Sequence, residues 1–177
     1  MNRRVNILLV ANQASTELAR SVAAHLRVSF TEMVRKRFAD GELYHAFPCD
    51  VSGRDVVIVA ATPDDSAHQE LVDLIAGARF WNCRTVNAVI PYLGYSTMER
   101  ARPDSGEIPK GITRTRQIFR ARPDYVAFID LHSEAVLHAH AGEVKTMNLW
   151  TDNLAVRKIQ EIGVEDYLKS GPLGFPV

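Results

Sequence analysis

Asp130 and His132 stand two residues apart, directly after the unbroken apolar run from Tyr125 to Ile129. That run has the length and the β-branched and aromatic content of a strand covered on both faces. Groups just past the carboxyl end of such a strand face the ligand crevice of an open parallel sheet. An acid and an imidazole placed there could hold a metal ion or a phosphate. The structural alternative is a helix N-cap aspartate followed by a satisfied histidine. Phe38-Ala39-Asp40-Gly41-Glu42 sets two carboxylates around a turn, which otherwise reads as a solvated hairpin tip. Pro91-Tyr92-Leu93-Gly94-Tyr95 closes another apolar run. Its proline and glycine shape a loop, and its two tyrosines either stack on a base or belong to the core.

Arg100, Arg102, Lys110, Arg114, Arg116, Arg120 and Arg122 are seven of the 21 basic residues, only partly offset by Glu99, Asp104 and Glu107. Such a cluster suits a phosphate-rich ligand or an acidic partner surface, or forms a solvated helix face. The H-x5-H-x-H spacing of His132, His138 and His140 fits no usual zinc pattern. No GxxxxGK[ST] or GxGxxG run occurs, which removes the P-loop and Rossmann dinucleotide readings.

The elements that must position these groups alternate along the chain. Strands are expected over 6–10, 28–34, 43–47, 55–60, 86–90, 125–129 and 144–147. Leu18, Val22, Ala23 and Leu26 mark the apolar face of a helix. Pro63-Asp64-Asp65 opens another, with Asp64 or Asp65 as cap and an inner stripe of Leu71, Leu74, Ile75, Ala78 and Trp81. A short basic helix covers 112–120, and a last one 151–162. Asp40-Gly41 between apolar runs predicts a hairpin. The polar stretch 97–110 is long for a connection, hence functional or mobile. The alternation predicts an α/β fold of three layers, a mostly parallel sheet flanked by helices with a β-hairpin insertion.

A length of 177 residues suits one domain, and 46% hydrophobic with 24% charged residues is ordinary for a globular chain. Twenty-one basic residues balance 21 acidic ones, so no net field favours nucleic acid or an anionic membrane. There is no apolar run of about 18 residues for a transmembrane helix. The apolar stretch after Met1-Asn2-Arg3-Arg4 is too short for a signal peptide and lacks a cleavage-like site. Cys49 and Cys83 fit neither a disulfide framework nor a C-x-x-C site, and are expected as buried thiols in a reducing cytoplasm. The tail from Gly171 to Val177 has linker chemistry.

Taken in order, the motifs resemble the N-terminal half of the ribose-phosphate diphosphokinase (phosphoribosyl pyrophosphate synthetase) family. The resemblance rests on Ala11-Asn12 with Leu18-Ala19, on Phe38-Ala39-Asp40-Gly41-Glu42, and on Gly53-Arg54-Asp55-Val56. It continues through Ala88 to Tyr95 and Ile129-Asp130-Leu131-His132. It implies a phosphoribosyltransferase-like fold, with residues 1–165 as the ATP-side domain and 166–177 as a linker towards a second domain absent from this chain. It also implies transfer of a diphosphoryl group from MgATP to the 1-hydroxyl of ribose 5-phosphate, giving phosphoribosyl pyrophosphate and AMP for nucleotide biosynthesis in the cytoplasm. His132 and Asp130 would then be catalytic, with His132 meeting the phosphates and Mg²⁺ and Asp130 orienting it. Phe38, Asp40 and Glu42 would shape an adenine pocket across a subunit interface of a homo-oligomer. Tyr95, Thr97, Met98, Glu99 and Arg100 would form the loop that meets ATP.

The departures are as specific as the matches. Where the family usually reads PYFGYARQDR, its arginine and glutamine are here Thr97 and Met98, so a bidentate cation has become a short hydroxyl. The serine and arginine of the family's Ser-Val-Arg-Gly turn, which help bind a regulatory phosphate, are Asp50 and Ser52. Nothing in the chain matches the family's Asp-Asp…Thr-Gly-Gly loop for ribose 5-phosphate. The resemblance therefore leaves two roles: the ATP-side part of an enzyme, or a non-catalytic regulatory or scaffold subunit associated with a synthetase.

Overall fold

The computed structural model describes residues 6–138, 142 and 144–161. Five strands build the main sheet: β1 (Ile7–Ala11), β4 (Asp55–Val59), β5 (Thr85–Ile90), β6 (Tyr125–Ile129) and β7 (Lys145–Leu149), side by side in that order. All four pairings are parallel, so every carboxyl end lies on one edge. β2 (Val34–Arg37) and β3 (Leu43–Ala46) pair antiparallel as a separate hairpin. The helices are α1 (Thr16–Leu26), α2 (Asp65–Phe80), α3 (Lys110–Arg120), α4 (Ala135–His138) and α5 (Asp152–Glu161). No described helix is long and apolar enough to cross a membrane.

Strand periodicity divides the core into two layers. Leu8 and Val10 join Val56, Ile58, Val86, Ala88, Ile90, Val126 and Phe128 on one face, packed against Leu71, Leu74, Ile75 and Ala78 of α2 and Ile118 and Phe119 of α3. The alternate residues Leu9, Ala11 and Val59 meet Ala19 and Ala23 of α1 on the other. Asp64 caps α2 by accepting from the Ala67 N–H at 2.8 Å, which satisfies one free donor of the first turn.

Four expectations change. The buried face of α1 is Ala19 and Ala23, while Leu18 and Leu26 are exposed. Alanine lets this helix lie close on the sheet, so the large apolar residues fall at its margins. Trp81 is outside the α2 stripe, at the exit turn, where it stands edge-on to Phe80 and is exposed. The strand foreseen over 28–34 is a single parallel bridge of Phe30 to Leu9, and regular pairing begins only at Val34. Cys49 is exposed, its thiol 3.7 Å from an Arg54 guanidinium nitrogen, whereas Cys83 is buried. The remaining expected helices and strands appear within a few residues of their foreseen positions, and α4 is an addition that the sequence pattern does not announce. The end of the helix foreseen to Ile162, His140, and the linker 166–177 lie outside the described residues.

Candidate functional site

β6 delivers Asp130 and His132 to the carboxyl edge, but to different circumstances. Asp130 adopts a left-handed φ of 47° and donates its N–H to the Leu149 carbonyl at 2.9 Å. Its carboxylate accepts from the Thr151 N–H at 2.8 Å and from the Thr151 hydroxyl. These Thr151 hydrogen bonds hold the acid below the ordinary carboxylate range. Asp130 thus ties the end of β6 to the chain leaving β7, and it is no helix cap. Leu131 is buried, and its N–H donates to Asn148 Oδ1 at 3.1 Å. His132 is exposed, and among the described residues no hydrogen bond reaches its ring. It is the group left open to a ligand.

One strand away, β5 ends in a loop whose backbone is seated on Thr62, just past the end of β4. Gly94 is buried and donates its N–H to Thr62 Oγ1 at 3.0 Å, while the Thr62 N–H donates to the Tyr92 carbonyl at 2.9 Å. A Cβ at Gly94 would lie 2.0 Å from the Thr62 carbonyl oxygen, a contact no side chain survives. Tyr95 follows with φ 62°. Its hydroxyl donates to Asp65 Oδ1 at 3.1 Å, the hydrogen bond that pushes the phenol above its ordinary value. Lys110 Nζ stands 5.0 Å and the Arg114 guanidinium 5.9 Å from the centre of the same ring, within reach of a cation–π attraction.

A short 3-10 turn, Ser96–Met98, then exposes Thr97 and Met98. Glu99 is largely covered and Arg100 extends into solvent, 3.8 Å apart. Arg102 does not reach back towards this turn, because its guanidinium and its N–H are both held by Glu107. Arg100 and Arg102, two of the seven basic residues, thus do not converge on the turn.

Sequence reading missed the support behind Tyr95. With Asp64 serving as the cap, Asp65 is free to accept from both Tyr95 and Arg114, the latter at 2.8 Å. Arg114 also donates to Gln117 Oε1 at 3.2 Å, and the same oxygen lies 3.0 Å from Nε2 of the buried His68. Because that oxygen can only accept, Nε2 carries the proton. Burial, the largest cause, pulls the His68 pKa below its ordinary value. The usable signal was Asp65 itself: two acids at a helix start cannot both cap it.

Phe38, Asp40 and Glu42 occupy the hairpin tip. Gly41 has φ 94°, Phe38 donates its N–H to the Glu42 carbonyl at 2.9 Å, and Asp40 Oδ1 accepts from the Glu42 N–H at 3.1 Å. Phe38 is half exposed and edge-on to Tyr44. The root of the hairpin is fixed where Arg35 binds Glu70 of α2 at 2.7 Å and the Ala11 carbonyl at 2.6 Å. The structure gathers Tyr95 to Arg100 on one loop and Asp130 with His132 on the neighbouring strand end. It leaves the tip residues on their own two-stranded sheet.

Among the described residues no three His, Cys, Asp or Glu side chains come together to hold a metal. Mg²⁺ demands oxygen ligands and commonly keeps waters and substrate phosphates. An open imidazole at a strand end could meet such an ion only where the ion arrives with oxygen ligands of its own.

Residues 7–110 match the family model for the N-terminal domain of ribose phosphate pyrophosphokinase. The chain is 28% identical to the ribose-phosphate pyrophosphokinase of Thermoplasma acidophilum, over 92% of this chain and 55% of that one. With the enzyme of the same name from Maricaulis maris it shares 30% identity, over 93% of this chain and 51% of the relative. The fold is similar to phosphoribosylpyrophosphate synthetase from Mycobacterium smegmatis, with a TM-score of 0.79 at 22% identity, covering 88% of this chain and 52% of that one. The chain spans about half the length of these relatives.

Proposed function

The chain belongs to the ribose-phosphate pyrophosphokinase family, and we propose that it is the ATP-side part of a synthetase that makes phosphoribosyl pyrophosphate and AMP from MgATP and ribose 5-phosphate. The observation that carries this reading is the open His132 ring at the end of β6, one strand from the loop seated on Thr62. His132 would donate to the ATP phosphates and contact the Mg²⁺ they carry; the ion would neutralise charge as it develops on the oxygens. Asp130 would keep the strand end, and with it His132, in place. Tyr95, Thr97, Met98, Glu99 and Arg100 would line the nucleotide loop. Phe38, Asp40 and Glu42 would serve the adenine pocket of a neighbouring copy in a homo-oligomer. Residues 1–165 would act as one domain, in the cytoplasm, with the ribose 5-phosphate half of the site supplied by a second domain.

Titration of the 177-residue chain with MgATP, followed by assay of AMP and phosphoribosyl pyrophosphate, tests the reading. Binding with little turnover is expected, and robust turnover by this chain alone would refute the need for a second half.

A second reading, a non-catalytic regulatory or scaffold subunit, draws on two features. Thr97 and Met98 offer no cation. Asp50 also turns its carboxylate onto its own Ser52 N–H at 2.8 Å, at the place where the family's phosphate-binding turn is expected. Assembly with a synthetase in the absence of nucleotide affinity would favour this role.

A further inference from the structure

Resting on the ATP-side reading, we propose that Lys110 supplies the phosphate-binding cation that the nucleotide loop lacks at Thr97. The start of α3 is pressed against that loop. A Cβ on Gly111 would lie 2.7 Å from the Tyr95 carbonyl oxygen and 3.2 Å from both the Met98 carbonyl carbon and the Glu99 nitrogen. The residue before this contact is therefore held beside the 95–99 turn by its own backbone. The Lys110 ammonium lies 5.0 Å from the centre of the Tyr95 ring. That ring is itself fixed, because its hydroxyl is bonded to Asp65.

The other cations near the loop are engaged or turned outward. Arg102 is closed onto Glu107. Arg114 is held by Asp65 and Gln117. Arg100 projects into solvent with Glu99 at 3.8 Å. Among the described residues, no carboxylate pairs with Lys110. An uncompensated ammonium on a flexible stem, steadied on one side by an aromatic face, is suited to a phosphate of loosely defined geometry. It has three donors and needs no planar fork.

Calorimetric titration with MgATP and with inorganic triphosphate tests the assignment. Lys110→Gln should weaken both about tenfold, as loss of one charge-assisted hydrogen bond does, and Lys110→Arg should restore most of it. Arg120→Gln removes the same charge about 15 Å along the same helix and should change affinity less than about twofold. Wild-type affinity in Lys110→Gln, or an equal loss in both glutamine variants, would overturn the role of Lys110 and leave the ATP-side reading intact. Failure of the wild-type chain to bind MgATP would overturn that reading and this inference together.

Discussion

Asp130 and His132 look interchangeable in the sequence, as an acid and a base flanking one leucine, and the fold separates them. Both Asp130 oxygens are committed to Thr151, 21 residues further on, while His132 is left open. The strand-end placement was legible because apolar runs of strand length are. The division of labour was not, since it depends on which strand lies next to β6 and how the chain leaves it. In a longer form carrying the ribose-phosphate half, His132→Ala should lower turnover by about 10²-fold or more, the effect of losing one electrostatic stabiliser, with thermal unfolding unchanged; near-wild-type rates would contradict the role given to it. His68 gives a prediction about pH. Its folded pKa is depressed, so below the ordinary histidine value of about 6.5 the unfolded chain takes up a proton that the fold refuses. Stability is full above that value and falls as pH drops towards the folded pKa. His68→Gln should flatten this slope in urea unfolding measured between pH 7 and 5.

At the scale of elements, the sequence located most strands and helices and erred where partners decide. The α1 stripe holds at Ala23 and fails at Leu18 and Leu26, because helical spacing marks a face without telling whether the sheet wants alanine or leucine against it. Val34-Arg35-Lys36-Arg37 carries almost no strand signature. It is a strand because Leu43–Ala46 folds back on it, with pairs such as Arg35 to His45 in register. Arg35 and Glu70 are both largely buried and bonded to each other. Arg35→Met would strand the Glu70 carboxylate and should cost about 3–5 kcal/mol, part of which the added Glu70→Gln change should recover, as read from denaturant midpoints. Gly94→Ala would drive a methyl into the Thr62 carbonyl, with an expected loss of about 3 kcal/mol. Because that strain falls on the loop that the ATP-side reading sets against the nucleotide, MgATP affinity should fall in the same variant while the hairpin is untouched.

For the molecule as a whole, the order β1-β4-β5-β6-β7 puts every candidate strand end on one edge, and the sequence predicted this α/β layering from alternation alone. It could not predict how far the hairpin stands apart. If the tip serves a neighbour, a Phe38→Ala chain and a His132→Ala chain, each defective in a longer active form, should regain activity when mixed, since one mutant pairing leaves an intact pocket. Mixtures no better than their components would argue against a shared site. The mooring of the hairpin root to α2 and to the end of β1 has a further consequence. If the tip completes a neighbour's pocket, an arm held at its base in this way would leave a solitary copy unfinished however much nucleotide surrounds it. Nucleotide affinity would then climb with the amount of protein present, and the molecule would gauge its own abundance.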